Sequence, residues 1–453
     1  MATVVPPNAE PALAPPVAVA PSPDLVSPAP HWRPATLVAF RFCFVYLGLY
    51  VVTTQMLQGM LAILPGFPDL GRLFPMRTII LAVGRHLLGI EQPISLATTG
   101  SGDKLYDWLH VVSLLLIATI ATVAWSFRAR GRTEHARLYA WLRLGLRLAM
   151  ATTFLTYGFA KLIPLQMPVL SLARLVEPFG NFSPMGVLWY SVGASPAYEM
   201  ATGAAEVLAG LLLFIPATSI VGALVALGDA TMIFLLNMTY DVPVKLFSFH
   251  LVLMALYLLA PNAGRLFDLL VRHRTGSLAP EPQATRSPAA WRRVVSAQAI
   301  YAAVLIGVNL VNGQRAWRLY GGGAPRSPLY GIWEVDSMTV GGVVRAALVS
   351  DSTRWRRIIF QTPFDATFQR MNDDFRRFTA KLDTTAHEMT LTTPGQSKPS
   401  ATLAYRRVDR EHLTVNGTFD DQPVSFALHF RDPDSFLQRS RGFHWVSEVP
   451  FNR

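Results

Sequence analysis

The sequence predicts an all-α transmembrane helical bundle of about seven spans, followed by a small antiparallel β-barrel-like domain. Three observations carry that prediction. The 453 residues are 51% hydrophobic and only 15% charged, with a mean hydropathy of +0.32, more apolar than a soluble domain normally is. Apolar runs near the ~20 residues needed to cross a bilayer recur through the first two thirds of the chain. Beyond Leu329 the pattern becomes short alternating strands separated by turns, roughly ten residues apart.

Residues 1–31 are rich in Pro, Ala and Val, cannot build a core, and are expected to be disordered. They lack the basic start and cleavage pattern of a secretory signal, so the first hydrophobic helix is expected to direct insertion. The spans fall at about Thr36–Leu64, Leu105–Phe127, Trp141–Ile163, Tyr198–Ile215, Thr218–Met238, Val244–Ala260 and Val294–Val311. Two readings stay open: the pair split by Pro216 as one kinked helix, and Met76–Ile90 as a short interfacial helix. The resulting divisions are N-terminal helices over 32–140, further helices over 141–262, a basic loop over 263–293, a last span over 294–312, a linker over 313–328 and the β domain over 329–453.

The net charge of +11 comes mainly from arginines between apolar segments. There positive charge is an orientation signal and a contact for anionic lipid; no recognition motif accompanies it, so nucleic acid is not expected as a partner. Arg128, Arg130, Arg132, Arg137 and Arg143 flank one loop, and Arg265, Arg272, Arg274, Arg286, Arg292 and Arg293 fill another. Both are expected to be cytoplasmic, in a bacterial inner membrane, with the N-terminus inside and the β domain periplasmic. The lone Cys43 excludes an intrachain disulfide and a cysteine-based zinc site, and no metal is expected.

Ionisable residues inside hydrocarbon are expensive and usually face a bundle interior or a wet cavity. Lys161, Glu206, Asp229 and His250 are therefore the first candidates for ligand binding or proton handling, with Tyr157, Glu199, Asn237 and Lys245 beside them. Tyr157 and Lys161 are four apart and share a helix face. Lys161 lies within a turn of its helix end, where its ammonium could equally bend to the interface. Glu206 lies about 12 Å below the outer end of its span, too deep for that, and Glu199 shares its face. Gly203, Ala204 and Gly210 are small enough to admit a neighbouring helix. For Glu206 and Asp229 the alternatives are a paired interhelical clamp and a proton-accepting site. For His250 they are a packing residue and, with His110, a less favoured haem ligand. Lys161, Glu199, Glu206, Asn237, Lys245 and His250 all fall in the outer half, which points to one cavity there.

In the β domain, Leu329-Tyr330-Gly331-Ile332-Trp333-Glu334-Val335 resembles the Gly-x-Trp first strand of lipocalin-like barrels. The resemblance implies that Trp333 lies under an arginine from the last strand, for which Arg439 or Arg441 is the counterpart; the alternative is an ordinary core tryptophan. Asp420-Asp421-Gln422 marks a hairpin turn, and the aromatic end from Arg441 to Arg453 is expected to dock on the domain. No nucleophile elbow, P-loop, dinucleotide fingerprint or HExxH occurs.

From about Trp141 to Ala260 the chain resembles DoxX-like membrane proteins. Gly158-Phe159-Ala160-Lys161-Leu162 stands for the Gly-x-x-Lys-Leu that ends the family's first helix. Glu206-Val207-Leu208-Ala209-Gly210-Leu211-Leu212-Leu213 stands for the Glu followed by Gly-Leu-Leu-Leu in its second. The resemblance implies a four-helix transmembrane unit over 141–262 and a component linked to quinone redox chemistry, with quinone as ligand and a soluble redox partner. Helices on both sides and an outer β domain depart from that pattern. Two other functions fit the same residues: a small-molecule transporter or binding protein, and a non-catalytic envelope anchor presenting a β-barrel binding module. A likeness to vitamin K-dependent carboxylase-like membrane proteins exists in architecture only.

Overall fold

A computed structural model describes residues 32–64, 66–274, 276–277 and 279–452; the tail expected over 1–31 lies outside them. The helices run α1 Pro34–Thr53, α2 Gln55–Met60, α3 Met76–Ala82, α4 Leu105–Arg128, α5 Ala136–Leu162, α6 Leu172–Leu175, α7 Pro184–Gly193, α8 Pro196–Phe214, α9 Ser219–Thr239, α10 Lys245–Leu259, α11 Ala263–Leu270 and α12 Pro288–Leu319. Six stretches are long and apolar enough to cross a membrane: α1, α4, α8, α9 with its leading turn, α10 continued through Leu270, and α12. α5 is as long, but its Arg137, Arg143, Arg147 and Lys161 make it less apolar. It is the hub nonetheless. α5, α8, α9 and α10 pack in a ring, each against the next, and α1, α2 and α12 pack against α5 from outside the ring.

The run Thr36–Leu64 breaks at Thr54, whose extended backbone separates α1 from α2. Met76–Ile90 forms α3 and then a π turn over Val83–Leu87. At Pro216 the two readings resolve into separate helices, because a 3-10 turn over Pro216–Thr218 divides α8 from α9. α12 is longer at both ends than the span expected over 294–312, and takes up the first residues of the expected linker. Its polar ends lie outside any apolar run, and hydropathy does not register them.

α5 and α8 approach closely because glycine lines their seam. A Cβ on Gly203 would stand 2.6 Å from Leu162 N, and one on Gly210 would stand 2.9 Å from Ala151 O. Ala204, expected on the same seam, is exposed.

Strands β1 Gly331–Val340, β2 Val343–Val344, β3 Trp355–Phe360, β4 Asp365–Arg370, β5 Phe375–Asp383, β6 Glu388–Thr392, β7 Ala401–Arg407, β8 His412–Phe419 and β9 Gln422–Arg431 follow, then the short helix α13 Leu437–Ser440. From β3 to β9 each strand pairs antiparallel with the next. β1 pairs with both β3 and β9, which closes the barrel, and β2 only extends the end of β1. The short antiparallel strands expected beyond Leu329 are present. The turn at Asp420-Asp421 has φ of 47° and 62°, the left-handed backbone that a tight two-residue hairpin requires.

The barrel interior is filled by side chains, among them Trp333, Trp355, Phe368, Phe378 and Phe426. Gly331 must be glycine: a Cβ there would stand 2.2 Å from the Phe430 ring. Trp333 is fully buried and donates its indole N–H to Leu329 O at 3.0 Å. The guanidinium over its ring is that of Arg407 in β7, at 5.8 Å, so neither Arg439 nor Arg441 fills that place. Arg439 pairs instead with Asp434, and Arg441 lies over Phe451. Phe443 and Trp445 of the aromatic end do not dock as expected. Phe443 and Trp445 pack edge to face on each other and remain 77% and 92% exposed.

The barrel rests on the bundle through its outer wall. Ile332 and Ile359 pack on Leu172, while Leu172 N–H donates to Gln361 Oε1 at 2.9 Å and Gln369 Nε2 donates to Val176 O at 3.3 Å. α6 follows the C-terminal end of α5, so the barrel sits at the end of the bundle opposite the two arginine-rich loops.

Candidate functional site

At the barrel end of the bundle a polar cavity of about 260 Å³ forms where α1 gives way to α2 and the first turns of α4 and α10 meet. Thr53, Thr54, Gln55, Gln58, His110 and Tyr157 are part of its polar lining, together with the charged Asp69, Arg72 and Asp107, and Phe247 with Val111, Val244 and Leu246 is part of its apolar lining. Thr53 Oγ donates to Leu49 O at 2.7 Å, so at 2.9 Å it accepts from His110 Nε2. That leaves His110 Nδ1 as an acceptor on a ring that lines the cavity. Two caps hold the mouth. Asp103 accepts from Lys245 N at 2.7 Å and Leu246 N at 2.9 Å, fixing the start of α10, and Asp107 accepts from Lys104 N at 3.1 Å at the start of α4.

Of the eight sequence candidates, Tyr157 lines this cavity, and the others do not, although Lys245 holds its mouth through its backbone N–H. Lys161 and Glu206 form a buried ion pair at 2.5 Å, which joins the two motifs that carry the DoxX resemblance across the α5–α8 seam. Lys161 therefore does not bend out to the interface. Asp229 is within electrostatic reach of both but shares no hydrogen bond with them. Glu199 is fully buried and accepts from Met167 N at 2.8 Å. Glu206 Oε2, Glu199 Oε2 and Asp229 Oδ2 are buried without a hydrogen-bond partner among the described residues. One ammonium thus faces three carboxylates with oxygens to spare.

Tyr157 lines the cavity and lies within electrostatic reach of Glu206.

The remaining candidates are fasteners and do not converge on one cavity. Asn237 Nδ2 donates to Ser248 Oγ at 3.0 Å and ties α9 to α10. Lys245 pairs with Asp241 at 2.9 Å. His250 Nδ1 donates to Leu246 O at 2.6 Å, its Nε2 accepts from Tyr46 at 2.7 Å, and Tyr50 stacks on the ring at 3.8 Å. Both ring nitrogens are engaged, so His250 packs as a core residue and does not offer a lone pair to haem iron. No cluster of metal-ligating residues occurs among the described residues.

Sequence reasoning missed two features. The cavity wall Thr53-Thr54-Gln55 with Gln58 is a polar interruption of an apolar run, and it is the signal that could have found the site. At the opposite end, Arg143 and Arg147 are buried. Arg143 grips Glu281 at 2.8 and 3.1 Å, and Arg147 donates to Leu213 O at 2.9 Å and Gln298 Oε1 at 2.8 Å. Arg143, read from sequence as an orientation charge, is thus also a tie between α5 and the segment before α12.

No protein-family model matches the chain, and no solved structure matches it significantly. Among curated proteins it is similar to "Uncharacterized protein YwoB" of Bacillus subtilis (strain 168), with 31% identity over 122 residues that cover 71% of that protein and 25% of this chain. On that match, the chain belongs to the same family as YwoB.

Proposed function

We propose that this is a DoxX-like membrane component that binds a hydrophobic molecule of quinone type in the polar cavity and exchanges protons with it through Tyr157. The observation that carries the reading is Tyr157, which lines a cavity able to hold a carbonyl- or hydroxyl-bearing head and lies within electrostatic reach of Glu206 in a buried group of one lysine and three carboxylates. A quinol hydroxyl can donate to His110 Nδ1, and a quinone carbonyl can accept from Tyr157. Surplus carboxylate oxygens at Glu206 and Asp229 give a proton somewhere to go. Electrons would be exchanged with a soluble redox partner.

The arginine-rich loops support a cytoplasmic position for one end of the bundle and a periplasmic one for the barrel, in a bacterial inner membrane. The filled barrel interior favours a structural or docking part for that domain over ligand carriage inside it.

Titrating a short-chain quinone and its quinol into the detergent-solubilised protein, followed by tryptophan fluorescence, tests the reading. Saturable quenching that His110→Ala and Tyr157→Phe weaken by about tenfold each is the expected result, one strong hydrogen bond being worth that much. Non-saturable quenching that is equal in all three proteins would rule it out.

A further inference from the structure

Beside the cavity, on the outer side of the loop that holds Arg72, lies a second concave surface of about 530 Å³. Arg72, Arg77, Arg85 and His86 line it together with Phe74 and Leu81, and no carboxylate does. Arg72 is already committed, to Asp69 at 3.0 Å and to Leu96 O at 2.7 Å. Arg77, Arg85 and His86 are exposed and make no ion pair among the described residues.

The local backbone explains how they share one face. In a regular α-helix, eight residues would carry Arg85 about 80° beyond the face of Arg77. The π turn over Val83–Leu87 follows α3 directly and has more residues per turn, which reduces that offset. Arg77, Leu81 and Arg85 consequently line the same groove.

The depth of this groove in the bundle is fixed by its neighbours. α3 packs against α4, and a Cβ on Gly84 would stand 2.9 Å from Leu109, five residues into α4. That is near the start of α4, a helix long and apolar enough to cross a membrane, so the groove lies close to the end of an apolar span, where headgroups would meet it. The rim is apolar: Phe74 is 84% exposed, and Leu73, Leu87 and Leu88 are exposed beside it.

We propose that this groove is a binding site for the phosphate of an anionic lipid headgroup, with Arg77 and Arg85 as its charged contacts. Guanidinium groups present forked donors that match phosphate oxygens, and Phe74 with its leucine neighbours offers contact to the acyl chains that a phosphate at this depth carries. This site goes beyond the quinone reading and does not depend on it: loss of headgroup binding would leave the cavity experiment unaffected.

The test uses the full chain in phosphatidylcholine nanodiscs with and without phosphatidylglycerol, and native mass spectrometry to count the phosphatidylglycerol that stays bound after ejection. The expected result is retention by the wild type and a loss of about tenfold in Arg77→Gln/Arg85→Gln, two arginines each contributing several-fold. The pair Arg377→Gln/Arg406→Gln, exposed on the barrel and away from the apolar spans, should leave that retention unchanged. Both substituted sites are exposed, and an unchanged gel-filtration profile confirms the fold. Equal retention by wild type and the Arg77/Arg85 variant overturns the proposal. So does the case in which no lipid is retained but inorganic phosphate, followed by phosphorus NMR in phosphatidylcholine discs, binds with the same dependence on both arginines; the groove then takes a free phosphate.

Discussion

Removing the Lys161 side chain leaves Glu206 as a buried carboxylate without its cation, whereas removing both leaves two apolar surfaces in contact. Lys161→Met is therefore expected to destabilise the protein by about 3–5 kcal/mol, and Lys161→Met/Glu206→Leu by much less. Thermal unfolding in mild detergent distinguishes the two, and equal losses would mean that the pair is not a unit. On the barrel wall the comparable group is Glu334, which accepts from Arg357 at 2.8 Å and from Arg431 at 3.0 Å. Burial alone would raise its carboxyl, but the two guanidiniums outweigh it and hold Glu334 below the usual glutamate range. A depressed carboxyl stabilises the fold above the ordinary glutamate value near about pH 4.3, and that contribution disappears as pH falls through the lower folded value. Barrel unfolding followed by near-ultraviolet circular dichroism should accordingly steepen below about pH 4. Glu334→Gln should flatten that slope and cost about 1–3 kcal/mol at neutral pH; an unchanged slope would contradict the assignment.

At the scale of elements, the α5–α8 seam brings Lys161 and Glu206 together. Gly203→Leu forces side-chain atoms into the backbone of Leu162, so it is expected to abolish the folded, detergent-soluble protein. The same change at Gly228, where no atom lies within 4 Å of a built Cβ, should be tolerated. Gel filtration of the two variants checks this. The small residues of this seam were legible in the sequence at Gly203 and Gly210 because helix periodicity puts them on the Glu206 face. The strands were legible for a related reason: alternation with a period of two, broken by turn residues, marks both register and ends. What periodicity does not encode is which of several inward-facing polar groups meet. Lys161 and Glu206 are 45 positions apart and meet, while His250 and His110, paired only in the less favoured haem reading, close on the hydroxyls of Tyr46 and Thr53.

For the whole molecule, the end that carries the barrel also carries the cavity, the charged group behind it and the basic groove. The opposite end is closed by Arg143, Arg147 and Glu281. The end of the bundle that carries the barrel was legible from the arginine loops, but its contacts were not, because they run through Leu172, Val176, Gln361 and Gln369, none of which stands out in a pattern of hydropathy or charge. Nor was the fate of the aromatic end, since local composition does not say whether a partner surface lies within reach. The reading as a whole depends on the cavity holding a quinone-type molecule. The most direct measurement is to purify the intact protein in mild detergent, extract it with organic solvent and identify the released small molecules by mass spectrometry, beside His110→Ala and Tyr157→Phe. Near-stoichiometric quinone in the wild type and much less in both variants is the expected result. No quinone in the wild type, or equal amounts in all three, would contradict it.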